Sequence, residues 1–175
     1  RVFSKRAKYE KDIFDSLDFT LTEAQVRVLR EIRSDLARKQ PMNRLIQGDV
    51  GSGKTIVAVL ATAIVISHES QVAVMAPTEI LAEQHYQSFT KLCQPSGIRI
   101  EILTGNLKKE ERKKIYRDLE FGEIQLIVGT HALIQEDVNF RDLGMIIIDE
   151  QHRFGVQQRK ALIDKGSFPE VLALT

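Results

Sequence analysis

Along the chain, apolar residues recur at two periods that take turns. Val28, Leu29, Ile32 and Leu36 repeat at helical spacing from about Thr22 to Arg38, and Pro41 closes that segment. Leu45–Gln47 is a short strand leading into a glycine-rich run. Lys54–Ile66 follows as a helix so apolar all round that it must be buried. Val72–Ala76 is an apolar strand ended by Pro77, after which Thr78 can cap a helix running to about Leu92. Ile98–Leu103 alternates apolar with polar residues, and Asn106 starts a charged helix to about Leu119. Ile124–Val128 and Met145–Ile148 are strands, the second wholly apolar and therefore central in its sheet; Val171–Leu174 begins one more. Apolar strands joined by crossover helices predict an α/β fold of three layers, with helices on both faces of a mainly parallel central sheet.

Ligands in such folds bind beyond the carboxyl ends of the strands. The run Gly48-Asp49-Val50-Gly51-Ser52-Gly53-Lys54-Thr55 falls at that place and has the form G-x-x-x-x-G-K-[ST]. In a chain this size that pattern arises by chance with a frequency on the order of one per cent. Gly48, Gly51 and Gly53 let the backbone approach a phosphate with no Cβ in the way, and successive amides then point inward as an anion nest. The following helix adds its positive amino end. Lys54 is placed to reach the β- and γ-phosphates, and the Thr55 hydroxyl to ligate the accompanying Mg²⁺. A nucleoside triphosphate and Mg²⁺ are thus the expected ligands of Gly48, Asp49, Val50, Gly51, Ser52, Gly53, Lys54 and Thr55. The strand Met145–Ile148 delivers Asp149 and Glu150 to the same edge, the arrangement of a Walker B element. Asp149 would hold the metal through its water shell while Glu150 orients or deprotonates the attacking water.

Composition narrows the setting. A chain of 175 residues, 43% hydrophobic, fits one α/β domain. A single cysteine, Cys93, permits no intrachain disulfide, and nothing has zinc-ligand spacing, so a reducing cytoplasmic setting is the expectation. No apolar run approaches the ~18 residues of a membrane span. The net charge of +1 argues against a dedicated basic nucleic-acid module. Because Arg1 rather than Met comes first, the sequence reads as a piece of something longer. Residues 1–20 read as a lead-in whose basic stretch Arg1–Lys11 is a solvated helix or frayed end, and residues 21–175 as one domain. The run Lys108–Lys114 reads as a charged solvent face.

The order of these motifs resembles the first RecA-like motor domain of superfamily 2 helicases, whose DExH box matches Asp149-Glu150-Gln151-His152. More narrowly, Pro41–Thr55 (PMNRLIQGDVGSGKT), Ala76–His85 (APTEILAEQH), Val128–Gln135 (VGTHALIQ) and Ile147–Arg159 (IIDEQHRFGVQQR) resemble the RecG family of branched-DNA helicases. The transcription-repair coupling translocases are the alternative; their phosphate loop usually carries Phe where this chain has Ser52, and their acidic box usually lacks the DEQH form. The resemblance implies an ATP-hydrolysing DNA helicase of repair and recombination, acting on forks and Holliday junctions. It implies that Gln25 reads adenine, although Thr22 and Gln25 also form a capping box on the page. It assigns Pro77, Thr78, Gln84, His85, Thr104, Gly105, Gly129, Thr130 and His131 to DNA, with N-capping the alternative for Thr78 and Thr130. Lys54, Glu150, Gln151 and His152 become the catalytic set, the last two sensing the γ-phosphate. Arg153, Phe154, Gln158 and Arg159 continue the extension, which can equally be a surface helix anchored by Phe154. The family carries its arginine finger in a second motor domain beyond motif III and its fork-recognising wedge elsewhere, so this piece alone is expected to hydrolyse ATP very slowly. From other classes, a nucleotide kinase would need an acceptor site and lid that the sequence does not show. A non-hydrolysing ATP-gated module would tolerate Glu150→Gln.

Overall fold

The computed structural model describes residues 2–3, 8–48 and 53–175. In chain order the elements are α1 (Lys8–Ser16), α2 (Glu23–Leu36), β1 (Asn43–Ile46), α3 (Lys54–Ile66), β2 (Gln71–Met75) and α4 (Glu79–Cys93). They continue with β3 (Ile100–Leu103), α5 (Lys109–Glu120), β4 (Leu126–Gly129), β5 (Leu143–Asp149), α6 (Val156–Ile163) and β6 (Glu170–Leu174). Among the described residues the strands form one sheet in the order β1-β6-β5-β2-β4-β3, with every neighbouring pair parallel.

Alternation within the strands sets the layers. In β5, Met145 and Ile147 enter one hydrophobic core, while Ile146 and Ile148 enter a second on the opposite face. In β2, Val72 and Val74 join the first core, and Ala73 and Met75 the second. Helices α1 to α4 supply the first core, with Ile13, Leu29, Ile32, Leu36, the length of α3, Ala82 and Phe89. Helices α5 and α6 supply the second with Ile115, Leu119 and Leu162. Helix α3 is buried from Ile56 to Ile66, as its all-round apolar character predicts. The apolar strand β5 is interior to the sheet. The α/β expectation is met, and the crossovers place every strand's carboxyl end along one edge.

Two expectations change. Helix α5 begins at Lys109 rather than Asn106. Asn106 Nδ2 donates to Glu79 Oε2 (2.6 Å), and Arg112 Nη2 donates to the carbonyls of Gly105 and Leu107 (3.2 Å each). These bonds hold residues 105–107 as a turn, drawing off the backbone groups a helix would need. The lead-in is also less solvated than its charge suggests. Phe3 is 1% and Ile13 0% exposed; Phe3 N–H donates to Leu36 O (2.8 Å), and Glu10 forms a two-point ion pair with Arg33. Tyr9, Ile13 and Leu17 recur every fourth residue and pack on the core, a helical face outnumbered by the charges around it.

Candidate nucleotide and nucleic-acid site

Three adjacent parallel strands build the centre of the site. Strand β6 lies between β1, which leads to Gly48, and β5, which ends at Asp149. Their ends are tied by backbone bonds: Gly48 N–H to Thr175 O (3.3 Å), Thr175 N–H to Ile46 O (3.1 Å) and Glu150 N–H to Leu174 O (2.9 Å). Two strand spacings, roughly 10 Å, separate the end of β1 from the end of β5.

Asp49, Val50, Gly51 and Ser52 lie outside the described residues. The loop's flanks are described. Lys54, the first residue of α3, donates from Nζ to Gly48 O (2.8 Å) and Thr175 O (2.6 Å), so its ammonium lies across the space between β1 and β6. Thr55 is half-buried in the first turn of the same helix. Gly53 has φ +82°, which favours glycine, and a Cβ there would displace the Gln25 side-chain amide. Gln25 closes a capping box, accepting from Thr22 N–H (2.9 Å) while its own N–H donates to Thr22 Oγ1 (3.1 Å); its Nε2 reaches Gly53 O at 3.4 Å. The residue expected to read adenine therefore also starts α2 and touches the end of the phosphate loop.

Glu150 has φ +51°, an uncommon conformation for a residue with a Cβ, and its bond to Leu174 O fixes it there. That turn brings Glu150 off the strand with its side chain 36% exposed; Oε2 lies 3.3 Å from Nε2 of His152, itself exposed. Gln151 Oε1 accepts from Arg159 Nη1 at 3.5 Å. Phe154 is buried in the second core and Gln158 caps α6 by accepting from Gly155 N–H (3.1 Å). The extension after the acidic box thus forms α6 with Phe154 as its anchor, and Arg153 stays exposed.

The residues assigned to nucleic acid divide. Gln84, Gly105 and His131 are exposed, and Pro77 and Thr104 half-buried, all along the same edge. Thr78 caps α4, accepting from Leu81 N–H (3.2 Å). Three of them are engaged within the fold. Gly129 is buried, and a Cβ there would lie 2.5 Å from Leu103 O, so glycine serves strand packing. Thr130 is 3% exposed and caps the 3₁₀ turn His131–Ile134 through Ala132 N–H, leaving no surface for a ligand. His85 turns inward, its Nε2 2.6 Å from Asp149 Oδ2.

A hollow of about 710 Å³ lies beside Thr104, Gly105 and His131, with Glu136 and Asp137 on its wall together with Lys109, Arg112 and Lys113. The sequence reading gave these three to a plain solvent face. Their spacing of three and four residues, which puts all three on one side of α5, was the available signal. Among the described residues no three His, Cys, Asp or Glu side chains gather as a metal cluster, and no helix is long and apolar enough to cross a membrane.

Comparison with known proteins agrees with this geometry. The DEAD/DEAH box helicase family matches residues 22–171. The chain is similar to the ATP-dependent DNA helicase RecG of Aquifex aeolicus (51% identity, 96% of this chain and 22% of the relative). It is similar to those of Synechocystis (51%, 99% and 21%) and Bacillus subtilis (52%, 91% and 24%). It therefore spans less than a quarter of the length of these relatives. A solved structure of RecG bound to a three-way DNA junction superposes with a TM-score of 0.86 at 44% identity, over 99% of this chain and 23% of that one.

Proposed function

The chain belongs to the DEAD/DEAH box helicase family, and from that membership we propose that it is the ATP-binding motor half of a RecG-like helicase acting on branched DNA. The observation that carries this reading is the juxtaposition of Lys54 with Asp149 and Glu150 across β6 at one sheet edge. The 51% identity with a DNA helicase over nearly the whole chain, and the likeness to a RecG structure solved on a three-way DNA junction, support branched forms as the substrate, as in fork reversal, branch migration, recombination and repair.

The chemistry follows from the side chains. Lys54 exchanges its two carbonyl partners for the β- and γ-phosphate oxygens, and the amides of Gly48–Thr55 hold the chain of phosphates. Gln25 contacts the adenine edge. Thr55 and Asp149 present hard oxygen donors suited to Mg²⁺. Bound there, Mg²⁺ supplies neutralisation of charge shared between the β- and γ-phosphates. Glu150, turned off the strand by its positive φ, orients and deprotonates the attacking water; Gln151 and His152 respond to loss of the γ-phosphate. Pro77, Thr78, Gln84, Thr104, Gly105 and His131 meet the DNA backbone without reading sequence, and Lys109, Arg112 and Lys113 add charge beside them. A second RecA-like domain and a wedge domain are the partners in cis, the former bringing an arginine finger whose contribution is about 10³–10⁵ in rate.

The test is ATP hydrolysis by the complete protein with and without forked DNA, beside a Lys54→Ala variant. DNA-stimulated turnover lost in the variant supports the reading; equal rates in all conditions remove it.

A further inference from the structure

We propose that His85 is a positioning residue that fixes the carboxylate of Asp149, an inference that rests on the magnesium role of Asp149 and goes beyond it. The two residues are 64 positions apart in sequence, yet Nε2 of His85 stands 2.6 Å from Oδ2 of Asp149. Both side chains are largely shielded, at 14% and 13% exposure, so water competes poorly for this bond. The imidazole is held from its other side as well. Its ring meets Phe89 edge-on, with centroids 6.4 Å apart and planes at 70°, and Phe89 is fully buried. A ring clamped by packing and aimed at one oxygen restricts the carboxylate's rotation, leaving Oδ1 outside the bond as the oxygen available to the metal's water shell.

This is the form of an outer partner to a metal ligand, where loss of the hydrogen bond typically costs 10–100-fold in metal affinity or activity. Position on the helix gives the bond a second consequence. His85 lies two turns into α4, whose first residues follow Pro77 and the cap Thr78 at the proposed DNA edge. A shift of the Asp149 carboxylate is therefore felt directly by a helix whose start faces the nucleic acid. In a sequence, EQH on a helix reads as surface; only the fold turns its histidine toward the acidic box.

The test uses the complete protein and titrates Mg²⁺ into a fixed concentration of a non-hydrolysable ATP analogue, reading binding by calorimetry, with thermal melting as a folding control. His85→Leu is expected to raise the Mg²⁺ concentration for half-maximal analogue binding roughly tenfold, with analogue affinity in EDTA unchanged. His85→Asn, polar but too short to reach Asp149, should match it and carries the test if the leucine variant does not fold. His85→Gln, whose Nε2 can occupy the position of the imidazole Nε2, should restore most of the loss. An unchanged Mg²⁺ requirement in the leucine and asparagine variants overturns the proposal, as does an equal loss of affinity with and without Mg²⁺, the mark of a packing role. Asp149→Asn separates the two levels. If it raises the Mg²⁺ requirement while the His85 variants do not, only the positioning role falls. If it has no effect, the magnesium role of Asp149 falls and takes the inference with it.

Discussion

The two ends of the central sheet hold polar side chains in opposite ways. At the amino ends, Gln71 opens β2 at 4% exposure. Its Nε2 donates to Leu119 O (2.9 Å) and Ile124 O (2.8 Å), while its Oε1 accepts from Asp142 N–H (2.9 Å). One amide thereby stitches β2 to the turn after α5 and to the start of β5. At the carboxyl ends, Lys54, Glu150, His152 and Gln84 are half-buried or exposed, and the partners of Lys54 are carbonyls it can leave. Buried and fully bonded, a polar group is structure; accessible and exchangeably bonded, it is available for ligands. The charge pattern of the chain does not make this distinction.

The contrast can be broken most severely at Lys54. Lys54→Ala should lower ATP turnover by about 10³-fold while stability in urea changes by less than about 1 kcal/mol. A large loss of stability would mean that the lysine is structural after all. Gln71→Ala is the converse. It strands the Ile124 carbonyl and the Asp142 amide, while Leu119 O keeps the N–H groups of Gly122 and Arg141, so stability should fall by about 3 kcal/mol. Nucleotide affinity of the folded fraction, measured by calorimetry, should stay at the wild-type value. Gly53→Ala sharpens the boundary between the two ends. It forces a Cβ into left-handed backbone and against Gln25, costing about 2 kcal/mol. Adding Gln25→Ala should recover the part due to overlap and leave the part due to φ, as paired urea melts would resolve.

The smallest expected effect lies at the far end of α4. Burial pushes the Cys93 thiol up to about 12, so the folded state favours the neutral form. Its contribution to stability is complete below the ordinary thiol value of about 8.5 and is lost as pH rises toward 12. At pH 8 a thiol reagent should label Cys93 only after urea unfolds the chain; labelling of the native protein would show that this end is looser than its packing implies.

Much of the site was legible from residue types because phosphate chemistry constrains them locally. Glycine at Gly53 answers to backbone φ, and an apolar strand ending in Asp149 and Glu150 can deliver carboxylates only at its carboxyl end. Thr78 and Thr130 both cap the turns that follow them, Thr78 half-buried at the edge and Thr130 enclosed beneath its own 3₁₀ turn. Lys109, Arg112 and Lys113 were missed because a charged helix face looks alike whether it borders bulk water or a hollow. The seating of α1 was missed because its apolar face, Tyr9, Ile13 and Leu17 at every fourth position, is outnumbered by the charges around it.

What the sequence determined by itself is whatever depends on neighbours along the chain: the alternation of strands and helices, the glycine-dependent loop, the caps at Thr22 and Thr78, and the acidic pair. Strand order was decided only in three dimensions, since β6, last in the chain, inserts between β1 and β5 and sets the phosphate loop and the carboxylates two strands apart. The approach of His85 to Asp149 was decided in the same way. Both depend on contacts between residues far apart in sequence, whose energies come from burial shared across whole layers, and no local pattern of residues encodes which distant partner will be met.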